Sequence, residues 1–454
     1  MKVLVINGSP KGRNSITLQT ALYLEKVFPS HSFSYLQAGA QIRALEKDFS
    51  PALDAVRAAD VLLFCYPVYT FMAPSQLHRF IRLLKEQAPD LSGKFASQIT
   101  TSKHFYDTTA HRFIERNCFD LGLKVVHGLS ADMDDLTTEK GQKEARGFLR
   151  YLAWCVARDL HEPFPAPEAA YQPRPVTVPQ QAGPAEKPGD VVVVTDCAPE
   201  DAQLDSMIRR FIAVCPRRVR VVRLNEFPFR GGCLGCFHCA TDGTCVYQDG
   251  FDTFLRETIQ RSEAIVYAFR IVDHSMGPLF KCYDDRQFCN GHRTVTMGAP
   301  QGYLISGPYS RENDLKLVID GRSGVGGNFL CGTATDERDP DSEIDRMAAT
   351  LDWAIRHHHT QPADFLGVGG MKIFRDLIWL MRGMMREDHR FFKAHGQYDF
   401  PQKQKGRALA MYLVGAMLRS KKLQKKAGGR MTEGMLMPYT KVLRSAVPME
   451  EEEA

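Results

Sequence analysis

Apolar runs separated by amphipathic stretches fill the first third of the chain. MKVLVI is a nearly continuous apolar run that predicts a buried strand. From Ser15 to Val27, apolar residues recur at Leu18, Ala21, Leu22 and Leu24, the spacing of one helix face. SFSYLQAG, DVLLFCY, KFASQITTS and LKVVHGLSADM supply further strand candidates. Strands that are apolar throughout need cover on both faces, which a parallel sheet flanked by helices provides. About 160 residues arranged this way suit a five-stranded doubly wound domain.

The pattern stops at EPFPAPEAAYQPRPVTVPQQAGPAEKPGD, residues 162–190, whose eight prolines leave no period and predict an extended linker. It then restarts. DVVVVTD repeats the first strand, Ala202 to Val214 a helix, and RVRVVRL, EAIVYAF and GAPQGYLISG further strands, with another helix near Glu343 to His358. The repeated order predicts an internal duplication of one α/β fold with strongly diverged copies. The expected architecture is two doubly wound parallel sheets of five strands each, order 2-1-3-4-5. Beyond them a Met-rich stretch has helical period through Ile373, Leu377, Leu380 and Met384, a stripe that predicts docking onto the duplicated core. The expected division is a domain at 1–161, a linker at 162–189, a diverged second domain at 190–360 and a helical basic extension at 361–454.

Composition narrows the function classes. A chain of 454 residues exceeds one ordinary core. Twelve cysteines in that length are not the staple pattern of a secreted mini-protein, and the first strand starts without a signal-peptide pattern. The longest apolar run, Ala408 to Leu418, is about half the length that spans a bilayer. A cytoplasmic, non-transmembrane protein with reduced thiols is expected. A net charge of +5 does not call for a nucleic-acid partner. From Lys403 to Arg444 there are eleven basic residues against one acidic. This is either a solvated face or a weak contact for NADPH phosphate, an acidic partner or an anionic membrane surface. The acidic MEEEEA end is expected to be disordered.

Candidate chemistry begins at VINGSPKGRNSITLQT, a strand-to-helix turn where backbone N–H groups and a helix N-terminus can hold a phosphate. Ser9, Ser15 and Thr17 offer hydroxyls, Asn14 an amide and Lys11 a charge. The plainer alternative is a helix cap. The loop is neither a Walker P-loop nor a Rossmann G-x-G-x-x-G. After the third strand, FCYPVYTFMAPSQLHRFI brings Pro67, Val68, Tyr69 and Phe71 to the same sheet edge, and TTSKHFYD brings Thr101, Ser102, His104 and Phe105. Open α/β sheets bind ligands at that edge. In combination these motifs resemble the flavodoxin-like NAD(P)H-dependent FMN reductases. The resemblance covers residues 1–160 and implies FMN, with its phosphate on Ser9, Lys11, Asn14, Ser15 and Thr17. It implies the ring against Pro67, Val68, Tyr69 and Phe71, with the Thr101 to Phe105 loop on the other side. Ile16 stands where many relatives have a hydroxyl residue, so its contact would be through the backbone. His104 is either a hydrogen-bonding partner of flavin or substrate, or an ordinary surface histidine.

In the second copy, GGCLGCFHCATDGTC holds Cys233, Cys236, Cys239 and Cys245. A reducing compartment disfavours disulfides. Zinc usually takes Cys pairs separated by a longer excursion. Successive spacings of three with a fourth cysteine close by suit a cluster whose irons each need one thiolate. The spacing resembles the cysteine motif of iron–sulfur flavoproteins, which implies a 4Fe–4S cluster; zinc or a bare turn is the alternative. Lys281, Asp285 and Arg286 match that family's K-x-x-x-D-R ending. Where the first copy has NGSPKGRNS, this copy has TDCAPEDAQ, and Asp196, Glu200 and Asp201 would repel a phosphate by several kcal/mol, about a thousandfold in affinity. Phe269 and Arg270 also replace the Pro-x-Tyr of the ring loop, so no second FMN is expected. Cys65, Cys118, Cys155, Cys197, Cys215, Cys282, Cys289 and Cys331 are expected to be structural thiols.

Together these features predict a pseudo-dimer with one FMN and one cluster. It would pass electrons between NAD(P)H or another small-molecule or protein donor and an acceptor. The alternatives are a cluster-free NAD(P)H-dependent FMN or quinone reductase, and a non-enzymatic electron-shuttle or redox-sensing module.

Overall fold

A computed structural model describes residues 1–180, 187–420, 436, 439–440 and 442–445. The apolar runs of the first half form β1 (Lys2–Asn7), β2 (Ser32–Leu36), β3 (Val61–Pro67) and β4 (Phe95–Ser102). They lie parallel in the order β2-β1-β3-β4. The fifth position is one strand in two pieces, β5 (Lys124–Val125) and β6 (Leu129–Asp132), both parallel to β4. The break falls at Gly128, whose missing side chain lets the backbone cross the Gln98 carbonyl. Helices α1 (Ile16–Val27), α2 (Ser50–Ala58), α3 (Ser75–Glu86), α4 (Asp107–Asp120) and α5 (Glu139–Arg158) connect and cover the strands.

The second sheet repeats this order. Its strands are β7 (Val191–Thr195), β8 (Val219–Arg223), β9 (Ala264–Arg270), β10 (Gln301–Ser306) and β11 (Leu330–Thr335), in the sequence β8-β7-β9-β10-β11, all parallel. The last strand, LCGTAT, is half-exposed over most of its length, so it has no apolar run to mark it in the sequence. Helices α6 (Ala202–Val214), α7 (Pro278–Arg286), α8 (Asn313–Gly326) and α9 (Pro340–Arg356) complete the second half.

The turn after the third strand repeats in detail. In the first half Tyr69 and Met72 exchange backbone hydrogen bonds at 2.8 and 3.0 Å around Thr70 and Phe71, both with positive φ. In the second half Val272 and Ser275 do the same at 2.8 and 3.1 Å around Asp273 and His274, again with positive φ. From these turns run α3 and α7, which pack on each other between the halves. One buried apolar cluster contains Leu4, Phe64, Phe80 and Phe113 together with Val192, Phe251, Phe280 and Ile319, so both sheets share a core.

The chain forms two compact units, 1–392 and 393–454. The first holds both sheets and runs on to Phe392. It includes α10 (Phe365–Leu380), which crosses α8 closely enough that a Cβ on Gly367 would sit 2.6 Å from the Gly324 carbonyl oxygen. The Pro-rich segment is pinned to the second half: Arg174 N–H donates to Asp336 at 2.7 Å and Thr177 N–H to Asp341 at 3.0 Å. The second unit contains α11 (Lys405–Leu418). The acidic end, several tail cations and residues 181–186 of the linker lie outside the described residues. No helix among the described residues is long and apolar enough to cross a membrane.

Candidate functional site

The loops at the carboxyl ends of β1, β3 and β4 wall a cavity of about 1360 Å³, its solvent-open mouth included. From the first loop, Ser9, Lys11, Ser15, Ile16 and Thr17 line it. Asn7, fully buried, fixes this loop by donating to the Gly12 carbonyl and to Gln37, both at 2.8 Å. Ser15 is the N-cap of α1, its hydroxyl accepting from Leu18 N–H at 3.4 Å. The first-turn N–H groups of Ile16 and Thr17 have no intrahelical partner, as at any helix start. Thr17 and Thr101 share a hydrogen bond at 2.6 Å, which ties the first loop to the third. Asn14 is exposed and is not on the wall.

From the second loop Pro67, Val68, Tyr69 and Thr70 line the cavity. Phe71 turns into the core, where its ring packs 4.8 Å from Phe105 and 4.2 Å from Tyr106. From the third loop Thr101, Ser102 and Phe105 line the cavity, joined by Lys103, which sequence reasoning passed over. His104 is not on the wall; its Nδ1 shares a 2.8 Å hydrogen bond with Asp107, which also accepts from Ser130 at 2.6 Å.

The opposite wall comes from the second half. Cys233, Cys236, Cys239 and Cys245 all line this cavity, with Phe237 and Tyr247 between and beside them. The glycines of the motif permit this approach. Gly235 has φ +60°, and a Cβ there would overlap the Tyr69 hydroxyl; a Cβ on Gly232 would overlap the Ser75 hydroxyl. The Tyr69 hydroxyl donates to the Leu234 carbonyl at 3.3 Å. Gly235→Ala is expected to cost about 1–3 kcal/mol, combining left-handed strain with that overlap. Chemical denaturation would measure it, and an unchanged midpoint would contradict this packing.

Two of the four thiols, Cys233 and Cys239, lie in low-dielectric surroundings, whereas Cys236 is exposed. Burial raises the Cys233 thiol, with Asp285 and the neighbouring thiols adding repulsion. Burial also pushes Cys239 up to about 11. Neutral thiols fit such surroundings, and a bound cation would reverse the preference toward thiolate. The Gly235 N–H points at the Cys233 sulfur at 3.4 Å, whereas the Cys239 thiol donates to the Phe288 carbonyl at 2.7 Å. Among the described residues, no three His, Cys, Asp or Glu side chains are grouped as ligands for a metal ion. The all-cysteine donor set suits a cluster chemically, since each iron needs one thiolate, and all four cysteines line the one cavity. Cys289, expected to be merely structural, is a fifth thiol on the wall, and Ile373, Phe374 and Leu377 of α10 close the cavity's apolar side. The helical stripe through Ile373 and Leu377 signals docking but not its place, and Cys289 has no local sequence signal, since its approach depends on tertiary packing.

The corresponding loop of the second half is closed on itself. Asp201 accepts from Ala198 N–H at 3.1 Å and pairs with Arg270 at 3.4 Å, so a carboxylate satisfies the loop N–H. The Asp196 carboxyl is pushed up to about 7, chiefly by burial and further by Asp201. A phosphate would meet the Asp201 carboxylate, which already occupies the loop N–H.

Residues 1–130 match the family model of the NADPH-dependent FMN reductases. No curated protein matches the chain. Solved structures with similarity include an NAD(P)H:quinone oxidoreductase from Methanothermobacter marburgensis, at 15% identity over 34% of this chain and 96% of that one, TM-score 0.28. An FMN-dependent NADH-azoreductase from Bacillus anthracis matches at 12% identity over 34% and 99%, TM-score 0.26. An NADH:FMN oxidoreductase in its apo form matches at 19% over 36% and 91%, TM-score 0.30.

Proposed function

With residues 1–130 matching the NADPH-dependent FMN reductases, we propose that the chain is an FMN-dependent oxidoreductase whose flavin, held by the first half, exchanges electrons with a 4Fe–4S cluster held by the second. The observation that carries this reading is the shared cavity, walled on one side by phosphate- and ring-type loops and on the other by four cysteines. In this reading 1–161 is the flavin domain, 162–189 a strap, 190–360 a diverged cluster domain and 361–454 an extension.

FMN bound there would supply hydride exchange with NAD(P)H and single-electron exchange with the cluster. Ser9, Lys11, Ser15 and the first-turn N–H groups of α1 would hold the phosphate. The Pro67 to Thr70 segment would meet one side of the ring, and Thr101, Ser102 and Phe105 another. Cys233, Cys236, Cys239 and Cys245 would supply the cluster's thiolates. Phe237, Phe374 and Leu377 would give the space between an apolar lining, which strengthens electrostatic contacts beside it.

The second reading, a reductase with bare thiols, draws on the Cys239 thiol that donates to the Phe288 carbonyl. Anaerobically prepared full-length protein distinguishes them. One FMN per chain, with iron and acid-labile sulfide, is expected. Flavin without sulfide would leave the second reading, and two FMN per chain would contradict the charge argument for the second half. Failure to oxidise NAD(P)H with any acceptor would favour a shuttle or sensor.

A further inference from the structure

We propose that Lys281 and Asp285, both in the second half, are positioning residues for the flavin of the first half, because they fasten the Tyr69–Thr70 turn that walls its cavity. The inference rests on the FMN reading above. The Lys281 ammonium is fully buried and donates to the Tyr69 carbonyl at 3.0 Å and to the Thr70 hydroxyl at 2.6 Å. Asp285, also fully buried, accepts from the Thr70 hydroxyl and from Ser75 N–H, both at 2.7 Å. Lys281 also pairs with Asp285 and, at 3.1 Å, with Asp284, which Arg322 meets at 2.9 Å. The turn needs such fastening, since Thr70 and Phe71 both have positive φ, a region that β-branched and bulky residues disfavour.

The mirror side shows that the fold does not require this arrangement. Counting from the matched turns, His78 occupies the place of Lys281, Arg82 that of Asp285, and Asp273 that of Thr70. His78 is buried and stacks on Phe113 at 4.0 Å, while its Nε2 meets no partner among the described residues. Burial, with the Lys281 charge adding to it, holds His78 well below its ordinary range, so it is neutral. It donates nothing to the second turn. The second turn is held by a different set: Asn117 donates to the Asp273 carbonyl at 3.2 Å, Lys85 and Arg82 meet the Asp273 carboxylate at 3.2 and 3.8 Å, and His274 bridges Asp120 and Glu312 at 2.9 and 3.0 Å. Burying an ammonium and two carboxylates carries a desolvation cost that apolar or neutral groups avoid. At the turn that faces the cavity the paired ions are fully buried, whereas Lys85 and Asp273 at the mirror turn keep 14% and 10% of their side-chain surface exposed.

The test titrates FMN into apo full-length protein, following flavin fluorescence and visible circular dichroism, with thermal unfolding recorded in parallel. Asp285→Asn keeps the shape and removes the charge. Thr70→Val removes the hydroxyl from the other side and keeps the test decisive if the buried substitution fails to fold. Both are expected to raise the FMN Kd about tenfold or more and to alter the dichroism of the bound flavin. Asp273→Asn, at the mirror counterpart of Thr70, removes the carboxylate that Lys85 meets there and is expected to leave Kd and dichroism as in the parent. Parental Kd and dichroism in Asp285→Asn and Thr70→Val would overturn the proposal. So would an equal loss in Asp273→Asn, which would show that interface stability alone is being read. A parent protein that takes up no FMN would instead remove the flavin reading on which the proposal stands.

Discussion

Ser15→Asp is expected to abolish FMN binding while leaving the protein at least as stable as before. Two effects of one carboxylate act in opposite directions. As the N-cap of α1, Ser15 accepts from Leu18 N–H, and Asp performs that task as well as Ser. A negative charge at a helix N-terminus adds about 0.3–1 kcal/mol through the dipole. Yet Ser15 also lines the cavity where the phosphate would sit. Two unit charges about 4 Å apart near a protein surface repel by about 4 kcal/mol, roughly a thousandfold in Kd. Ser15→Ala should show the reverse balance: about 1 kcal/mol of stability lost with the cap, and only a modest change in flavin affinity. Flavin fluorescence titration and thermal melts separate the two. Parental FMN affinity in Ser15→Asp would place the phosphate elsewhere. The second half resembles the substituted state already, with Asp201 satisfying its own loop N–H.

How much of this site could be read from sequence depends on how locally each residue acts. Ser9, Lys11, Ser15, Ile16 and Thr17 are contiguous in one strand-to-helix turn, and the geometry of that turn brings all five to the wall. Asn14 belongs to the same motif, but the short 3-10 turn at Gly12–Asn14 carries its side chain outward, a matter of one residue's dihedrals that composition does not encode. Phe71 and His104 sit in positive-φ positions, which redirect their side chains away from the face that strand alternation would assign. Most strands follow from apolar runs and their order from the doubly wound fold that the motifs resemble, but β11 and the break between β5 and β6 do not, because half-exposed or interrupted strands lose that signal. Cys289, Phe374 and Leu377 reach the cavity only through packing between distant segments. Lys281 and Asp285 are visible in sequence as a motif, whereas their partners lie in the other copy, about two hundred residues away.

Asp249→Ala is expected to remove about 3–5 kcal/mol of stability, a large part of the 5–15 kcal/mol typical of folded domains. The Arg286 guanidinium is almost fully buried and donates to both oxygens of Asp249, at 2.9 and 2.7 Å. Its Nη1 also donates to the Gly231 carbonyl at 2.9 Å, at the base of the cysteine loop. The cation lies 4.6 Å from the Tyr247 ring and 4.7 Å from that of Phe251. Without Asp249 this charge stays buried beside aromatic faces with no counter-ion, and the loop loses its anchor. Arg286→Met in the Asp249→Ala background should recover at least half of the loss, since an apolar pair removes the uncompensated charge. The pH dependence has a definite sign. Burial opposes ionisation of Asp249, but the hydrogen bonds from Arg286 outweigh it and hold the carboxyl below its ordinary range. A depressed folded-state pKa contributes stability that is complete above the unfolded value, about 4, and is lost as pH falls through the folded one. The parent should therefore exceed Asp249→Asn in denaturant midpoint at pH 7, with the difference vanishing in acid. A difference that persists unchanged at pH 2, or a loss under 1 kcal/mol in Asp249→Ala, would mean that the pair does not anchor the loop.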